Sequence, residues 1–158
     1  FVNFCWNQDY REAQYLAMDY LLRKKKELVF EDIPKIKELI LEKSWWDSSD
    51  VLDKLIAEIK QNDQRVRDLM LLWSKDENIW LRRISIIFQR HRKEKTNLEL
   101  LAKVIENNLG TQDFFIEKAI GWALRDYSKT DPLWVREFIQ LHKPHLSSLS
   151  IREASKYF

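Results

Sequence analysis

Cysteine, glycine and proline are scarce in this 158-residue chain, which has one Cys, two Gly and three Pro. A single cysteine, Cys5, excludes an internal disulfide and any cysteine-based zinc site. A β-sandwich or β-barrel of this length needs many tight turns, which Gly and Pro usually supply, so their scarcity favours helices joined by short polar turns. The sequence has no apolar run of membrane-spanning length and no visible signal peptide. These absences predict an all-α protein of the reducing cytosol.

Motifs for metal and phosphate chemistry are also missing. There is no Gly-rich phosphate loop and no H-E-x-x-H pair, and the three histidines, His91, His142 and His145, lack ligand spacing. We therefore expect neither a metal nor a cofactor, and we read the histidines as surface residues.

Basic residues are unevenly distributed along the chain. Residues 1–79 hold 13 Lys/Arg against 16 Asp/Glu, whereas residues 80–158 hold 14 against 9. The basic C-terminal half is a candidate for binding a polyanion such as DNA or RNA. Charge alone also fits an ordinary solvated surface.

Apolar residues recur at three- and four-residue spacing almost throughout, which predicts helices. First-turn prolines at Pro34 and Pro132 and candidate N-caps at Asn78, Asn97 and Asp113 mark helix starts, and Gly110 follows a helix end. The predicted helices cover residues 9–25, 33–43, 45–60, 63–74, 78–92, 97–108, 113–127, 132–142 and 150–157.

An internal period of 35 residues relates four aromatic positions, Tyr10, Trp45, Trp80 and Phe115. The same spacing relates three smaller apolar residues, Ile84, Ala119 and Ala154. One helical hairpin has this length, so we predict a single α-solenoid domain over 1–158, built from HEAT-like hairpins with a concave face. The repeated aromatics are expected to be core wedges between repeats.

The segment KSWWDSSD places two tryptophans beside carboxylates at a predicted helix start. Ser44 and Asp47 have the spacing of a capping box, which would explain Asp47 without any function. Trp46 and Asp50 are four residues apart and share a helix face, whereas Trp45 is expected in the core. The pair Trp46 and Asp50 fits an amphipathic boundary, or an aromatic wall beside a carboxylate that suits a cationic ligand or transition state.

Two further segments contain candidate residues. Gly121, which precedes Trp122, lies inside a predicted helix, where glycine is less stable than alanine by about 1 kcal/mol. Close approach of another helix or of a ligand could offset this loss of stability. Arg83 and Arg90 are seven residues apart and share a face, and Arg83 could hold a phosphate. The cluster RHRKEK reads more simply as a solvated helix end.

Together, KSWWDSSD, NIWLRRISIIFQ and FFIEKAIGWALRDYSKTDP resemble the bacterial DNA alkylation repair family, the AlkD-like HEAT-repeat DNA glycosylases. The resemblance extends from near Phe30 to Lys129, and less sharply to the final REASKYF. It implies excision of positively charged alkylpurines such as 7-methylguanine and 3-methyladenine from duplex DNA held on the concave face. It also implies a monofunctional, metal-free enzyme that acts as a monomer in the bacterial cytoplasm.

The resemblance implies roles for four residues. Asp50 would stabilise the oxocarbenium-like sugar and place the attacking water. Trp46 and Trp122 would pack against the lesion-bearing nucleotide, and Arg83 would hold the backbone. The alternatives are a noncatalytic HEAT-like solenoid that binds DNA or protein and, more weakly, an RNA-binding solenoid. Because the family has further helices before the segment matching Trp6, we expect the chain shown to lack them.

Overall fold

The computed structural model describes residues 1–60 and 62–158, and within them it shows ten α-helices, three 3₁₀ turns and no strand. The all-α prediction is therefore confirmed. The helices are α1 (Val2–Trp6), α2 (Arg11–Lys24), α3 (Ile33–Glu42), α4 (Trp46–Glu58), α5 (Gln64–Trp73), α6 (Ile79–Ile87), α7 (Leu98–Glu106), α8 (Phe114–Ser128), α9 (Pro132–His142) and α10 (Ser148–Ala154). None of these helices, as far as the chain is described, is long and apolar enough to cross a membrane.

The chain forms two compact units, Phe1–Leu69 and Met70–Phe158. In the first unit α2 packs against α1 and α4, and α3 packs against α4. Apolar side chains at three- and four-residue spacing on α3 and α4 supply much of its core, as their periodicity predicts. These side chains are Ile33, Ile36, Leu39, Ile40, Leu52, Leu55 and Ile56.

The second unit is organised around α8, the longest helix among the described residues. Helix α8 packs against α10, α6 and α9, and α6 also packs against α7. The buried side chains of α6 and α8 include Leu81, Ile84, Ile87, Ile116, Ile120 and Leu124.

Local hydrogen bonds confirm the predicted helix starts in this unit. The Asn78 side chain accepts from the backbone N–H groups of Trp80 and Leu81, and Asn97 and Asp113 cap α7 and α8 in the same way. Such caps satisfy backbone donors that the first helical turn leaves without a partner.

Most predicted helix boundaries lie within three residues of those in the structure, but one helix end and one whole helix differ more. Helix α6 ends at Ile87 rather than at residue 92, because the chain turns where His91 and Lys93 adopt φ values of 70° and 52°. Helix α1 was not predicted at all, since five residues are too few to display a helical period.

The 35-residue period identifies equivalent positions, but it does not fix their burial. Trp80 is 7% exposed and contacts Phe115 with ring centroids 4.9 Å apart, so the core role is confirmed for Trp80. Tyr10 and Trp45 are 74% and 50% exposed, so the predicted core role is wrong for both. The smaller apolar residues of the period are fully buried: Ile84, Ala119 and Ala154.

Candidate functional site

The four predicted site residues fall into two pairs, one in each compact unit. Trp46 and Asp50 lie on α4 in the first unit, and Arg83 and Trp122 lie on α6 and α8 in the second.

The start of α4 is not built by the predicted capping box. Its N-cap residue is Trp45, whose side chain makes no capping hydrogen bond. The Ser44 hydroxyl instead donates backwards to the carbonyl of Ile40 at 2.6 Å, so it satisfies the end of α3. Neither Ser44 nor Asp47 forms the capping box at the start of α4, and the capping-box prediction for Ser44 and Asp47 is therefore wrong.

Asp47 anchors α4 to α2 through its side chain. It accepts hydrogen bonds from the Arg11 guanidinium and, at 2.9 Å, from the Tyr15 hydroxyl. Burial alone would raise the pKa of Asp47, but the hydrogen bonds from Arg11 and Tyr15 hold that pKa below its ordinary value. This ion pair anchors the N-terminal part of α4, on which the candidate pair lies.

Trp46 and Asp50 lie on one face of α4, about one helical turn apart. The Trp46 side chain is 47% exposed, and Asp50 is partly exposed and accepts a hydrogen bond from the Ser49 hydroxyl at 3.3 Å. Ser48 and Ser49 are buried on the other side of the turn, where their hydroxyls also donate to main-chain carbonyls. The turn thus presents a large indole and a carboxylate side by side, an arrangement that suits a cationic planar group.

Arg83 and Trp122 are brought together in the second unit. The Arg83 guanidinium carbon lies 5.1 Å from the centroid of the Trp122 ring, and its Nη1 donates to the carbonyl oxygen of Phe115 at 2.6 Å. Arg83 is only 2% exposed. The guanidinium carbon of Arg90, which lies beyond the end of α6, is also 5.1 Å from the Trp122 ring centroid, so both arginines contact the same ring.

Gly121 allows α8 and α10 to pack closely just beside Trp122. A Cβ atom at this position would lie 2.5 Å from the Cβ of Glu153 and 3.2 Å from the carbonyl oxygen of Ser150. The sequence-based expectation of a close helix approach at Gly121 is therefore confirmed.

Glu153 is itself a buried carboxylate with three cationic partners. Lys118, Arg125 and Lys156 approach its oxygens at 3.2, 3.1 and 2.9 Å. The hydrogen bond from Lys156 is the main reason that the pKa of Glu153 lies below its ordinary value. The close helix contact at Gly121 thus coincides with an ion-pair cluster that positions Arg125.

A largely cationic pocket of about 110 Å³ lies next to Trp122. It was not identified from the sequence, where the cluster RHRKEK was interpreted as a solvated helix end. The 35-residue alignment of Arg90 with Arg125 was the available signal, because both residues line this pocket. The full lining is Arg90, His91, Trp122, Arg125, Asp126, Lys129 and Tyr157.

Among residues 1–60 and 62–158, no group of three or more His, Cys, Asp or Glu side chains is placed to hold a metal ion.

Comparisons with known proteins point to DNA repair. A family model described as "DNA alkylation repair enzyme" matches residues 1–158. A solved structure titled "Predicted DNA alkylation repair enzyme from Enterococcus faecalis" is similar, with a TM-score of 0.91 and 37% sequence identity over 99% of this chain and 73% of that chain. No curated protein matched the sequence.

Proposed function

The chain belongs to the DNA alkylation repair enzyme family, and from this we propose that it is a monofunctional DNA glycosylase. Its substrates are duplex DNA molecules that contain positively charged alkylpurines such as 7-methylguanine and 3-methyladenine. The proposal includes action as a monomer on DNA in the cytoplasm, with HEAT-like hairpins presenting a concave DNA-binding face.

The observation that supports this activity best is the solvent-accessible pair at the start of α4, Trp46 and Asp50. Trp46 offers an indole face to solvent, and Asp50 supplies a carboxylate one helical turn away. A surface that only binds DNA gains nothing from a carboxylate, because it repels phosphates. A carboxylate beside an aromatic ring is useful when the group to be stabilised is cationic.

Alkylation at N7 or N3 makes the purine cationic and hence a good leaving group. When the C1′–N9 bond breaks, its electron pair passes to the purine and neutralises it, and positive charge develops on the sugar. In our proposal Asp50 stabilises that charge and orients a water molecule, which adds to C1′ and releases a proton. A preorganised group of this kind contributes about 10²–10³ in rate.

The remaining predicted residues bind rather than react. Trp46 and Trp122 contact the nucleotide that bears the lesion, and Arg83 holds a backbone phosphate. Because Arg83 is 2% exposed and already donates to the carbonyl of Phe115, phosphate contact requires Arg83 or its neighbours to move.

The decisive test is release of free 7-methylguanine from methylated duplex DNA by the wild-type chain and by Asp50→Asn. We expect Asp50→Asn to keep DNA affinity while base release falls by about 10²–10³. Glu58→Gln is the matched control, because it neutralises another carboxylate on α4 about 12 Å further along the helix axis. It should release the base at the wild-type rate.

Three other outcomes would change the proposal. Release that is unaffected by Asp50→Asn would remove Asp50 from the chemistry. Equal loss of binding and release would mean that Asp50 has a structural role. Tight binding of duplex DNA without release by the wild-type chain would favour the alternative, a noncatalytic solenoid that binds DNA or protein.

A further inference from the structure

We propose that the pocket beside Trp122 is a second phosphate subsite, which binds a phosphodiester group of the DNA backbone separately from Arg83. This inference rests on the proposed function, because it takes duplex DNA as the substrate. The pocket, its charge and the way in which its cations are held each support it.

The charge of the pocket suits an anion. Three cationic side chains, Arg90, Arg125 and Lys129, line the pocket, and Asp126 supplies the one carboxylate among the lining residues. Glu153, which pairs with Arg125 from outside the lining, is also paired with Lys118 and Lys156 and so does not cancel the positive charge of the pocket. The Asp126 carboxylate is engaged by His91, whose backbone N–H donates to it at 2.8 Å and whose ring Nδ1 lies 3.3 Å from it. The surplus of positive charge disfavours a metal ion or a cationic base and favours a phosphate.

Each cation has a partner that directs it. Arg125 donates to Glu153 at 3.1 Å, which fixes its guanidinium at the pocket wall. The Lys129 ammonium lies 4.9 Å from the centroid of the Tyr157 ring, and Arg90 stacks on Trp122. Planar guanidinium groups and an ammonium around one concave pocket match the donors that usually bind backbone phosphates.

Accessibility separates this pocket from Arg83. Lys129 is exposed at the C-terminal end of α8, whereas Arg83 is buried and bonded to a main-chain carbonyl. A phosphate can therefore reach the pocket without the movement that Arg83 requires. The pocket is also adjacent to Trp122, so a phosphate bound there would lie close to a residue that we propose contacts the damaged nucleotide.

The test measures affinity for a fluorescently labelled, unmodified DNA duplex between about 50 and 200 mM salt. Lys129→Gln should weaken binding and reduce the slope of log affinity against log salt by about one. Lys143→Gln is the matched control, because Lys143 is an exposed lysine at the C-terminal end of α9 and does not line the pocket. Thermal unfolding of both variants should match that of the wild-type chain.

A second measurement locates the phosphate itself. Single phosphates of the duplex are replaced one at a time by neutral methylphosphonates. At one position the replacement should weaken binding of the wild-type chain but should not weaken binding of the Lys129→Gln variant any further. The subsite would be overturned if Lys129→Gln and Lys143→Gln had equal salt slopes. It would also be overturned if the loss of affinity from Lys129→Gln added to the loss from the methylphosphonate at every position. If Lys129→Gln weakens binding of duplex RNA of the same sequence but not of duplex DNA, the proposal that the pocket binds DNA is wrong.

Base release, measured in parallel, keeps the two proposals distinct. Normal release of 7-methylguanine with an unchanged salt slope for Lys129→Gln would remove the subsite and leave the glycosylase. A reduced salt slope for Lys129→Gln, together with no base release by the wild-type chain, would support the subsite and contradict the glycosylase.

Discussion

Gly121→Ala is the substitution whose effect the structure defines most sharply. The added Cβ would lie 2.5 Å from the Cβ of Glu153, which is 0.9 Å closer than the 3.4 Å at which ordinary contact begins. It would also lie 3.2 Å from the carbonyl oxygen of Ser150, so the obstacle includes backbone as well as side chain. Helix α10 must therefore shift away from α8.

Two opposing terms set the size of the effect. Overpacking of a close contact costs about 1–3 kcal/mol. Alanine recovers about 1 kcal/mol because it favours a helix interior more than glycine does. Since α10 is the principal partner of α8 and the obstacle includes backbone, the overpacking cost should fall in the upper part of that range, about 2–3 kcal/mol. After the gain of about 1 kcal/mol from alanine, we expect Gly121→Ala to lower the free energy of unfolding by about 1–2 kcal/mol.

Urea unfolding followed by far-ultraviolet circular dichroism measures this loss. If the free energy of unfolding falls by about 2 kcal/mol for each molar of urea, the urea concentration at the unfolding midpoint should fall by about 0.5–1 M. The comparison requires the same urea dependence in both proteins, because a changed dependence would indicate a different unfolded or native state.

A double-mutant cycle identifies the cause. In a Glu153→Gly background the nearest obstructing atom is absent, so Gly121→Ala should cost less than it does in the wild-type chain. If Gly121→Ala instead raises the free energy of unfolding by about 1 kcal/mol, as at an uncrowded helix position, the close-packing argument is wrong.

Two further predictions concern the candidate residues and their support. Asp47→Asn should lower the free energy of unfolding by about 1 kcal/mol at neutral pH, because Arg11 loses its partner. Since the folded-state pKa of Asp47 lies below its ordinary value, this stabilisation is present above about pH 4 and is lost as the pH falls through the folded-state pKa. Urea unfolding at neutral and acidic pH measures it, and a difference that persists unchanged in acid would contradict the ion-pair explanation. Arg83→Ala should weaken binding of duplex DNA and reduce the salt slope by about one, and an unchanged slope would exclude Arg83 from the backbone-binding role.

Local patterns in the sequence predicted the features that depend on neighbouring residues. Asn78, Asn97 and Asp113 cap their helices as expected, because a capping side chain needs only the backbone of the next turn. The same logic misassigned Ser44, whose hydroxyl has helix carbonyls on its N-terminal side as well as helix donors on its C-terminal side. A motif of four residues does not indicate which of two adjacent helices it serves.

Contacts between distant residues were beyond the sequence patterns. Asp47 binds Arg11 and Tyr15, which lie 36 and 32 residues away along the chain. The pocket beside Trp122 likewise depends on the turn at His91, where a left-handed backbone conformation brings the histidine to Asp126. The 35-residue period relates Arg90 to Arg125, but no sequence pattern indicates the contacts of Asp47 or the contact of His91 with Asp126, since each depends on how helices pack.

The contacts that hold the cations of the pocket have a further consequence for the entropy of binding. An unrestrained arginine or lysine loses rotamer freedom when it binds, at a cost of about 0.5–1.5 kcal/mol for each side chain. Arg125 is already restrained by Glu153, and Lys129 lies against Tyr157 before any ligand arrives. Much of this ordering is therefore completed when the protein folds, so the phosphate that we propose for this pocket would bind with a smaller loss of side-chain entropy.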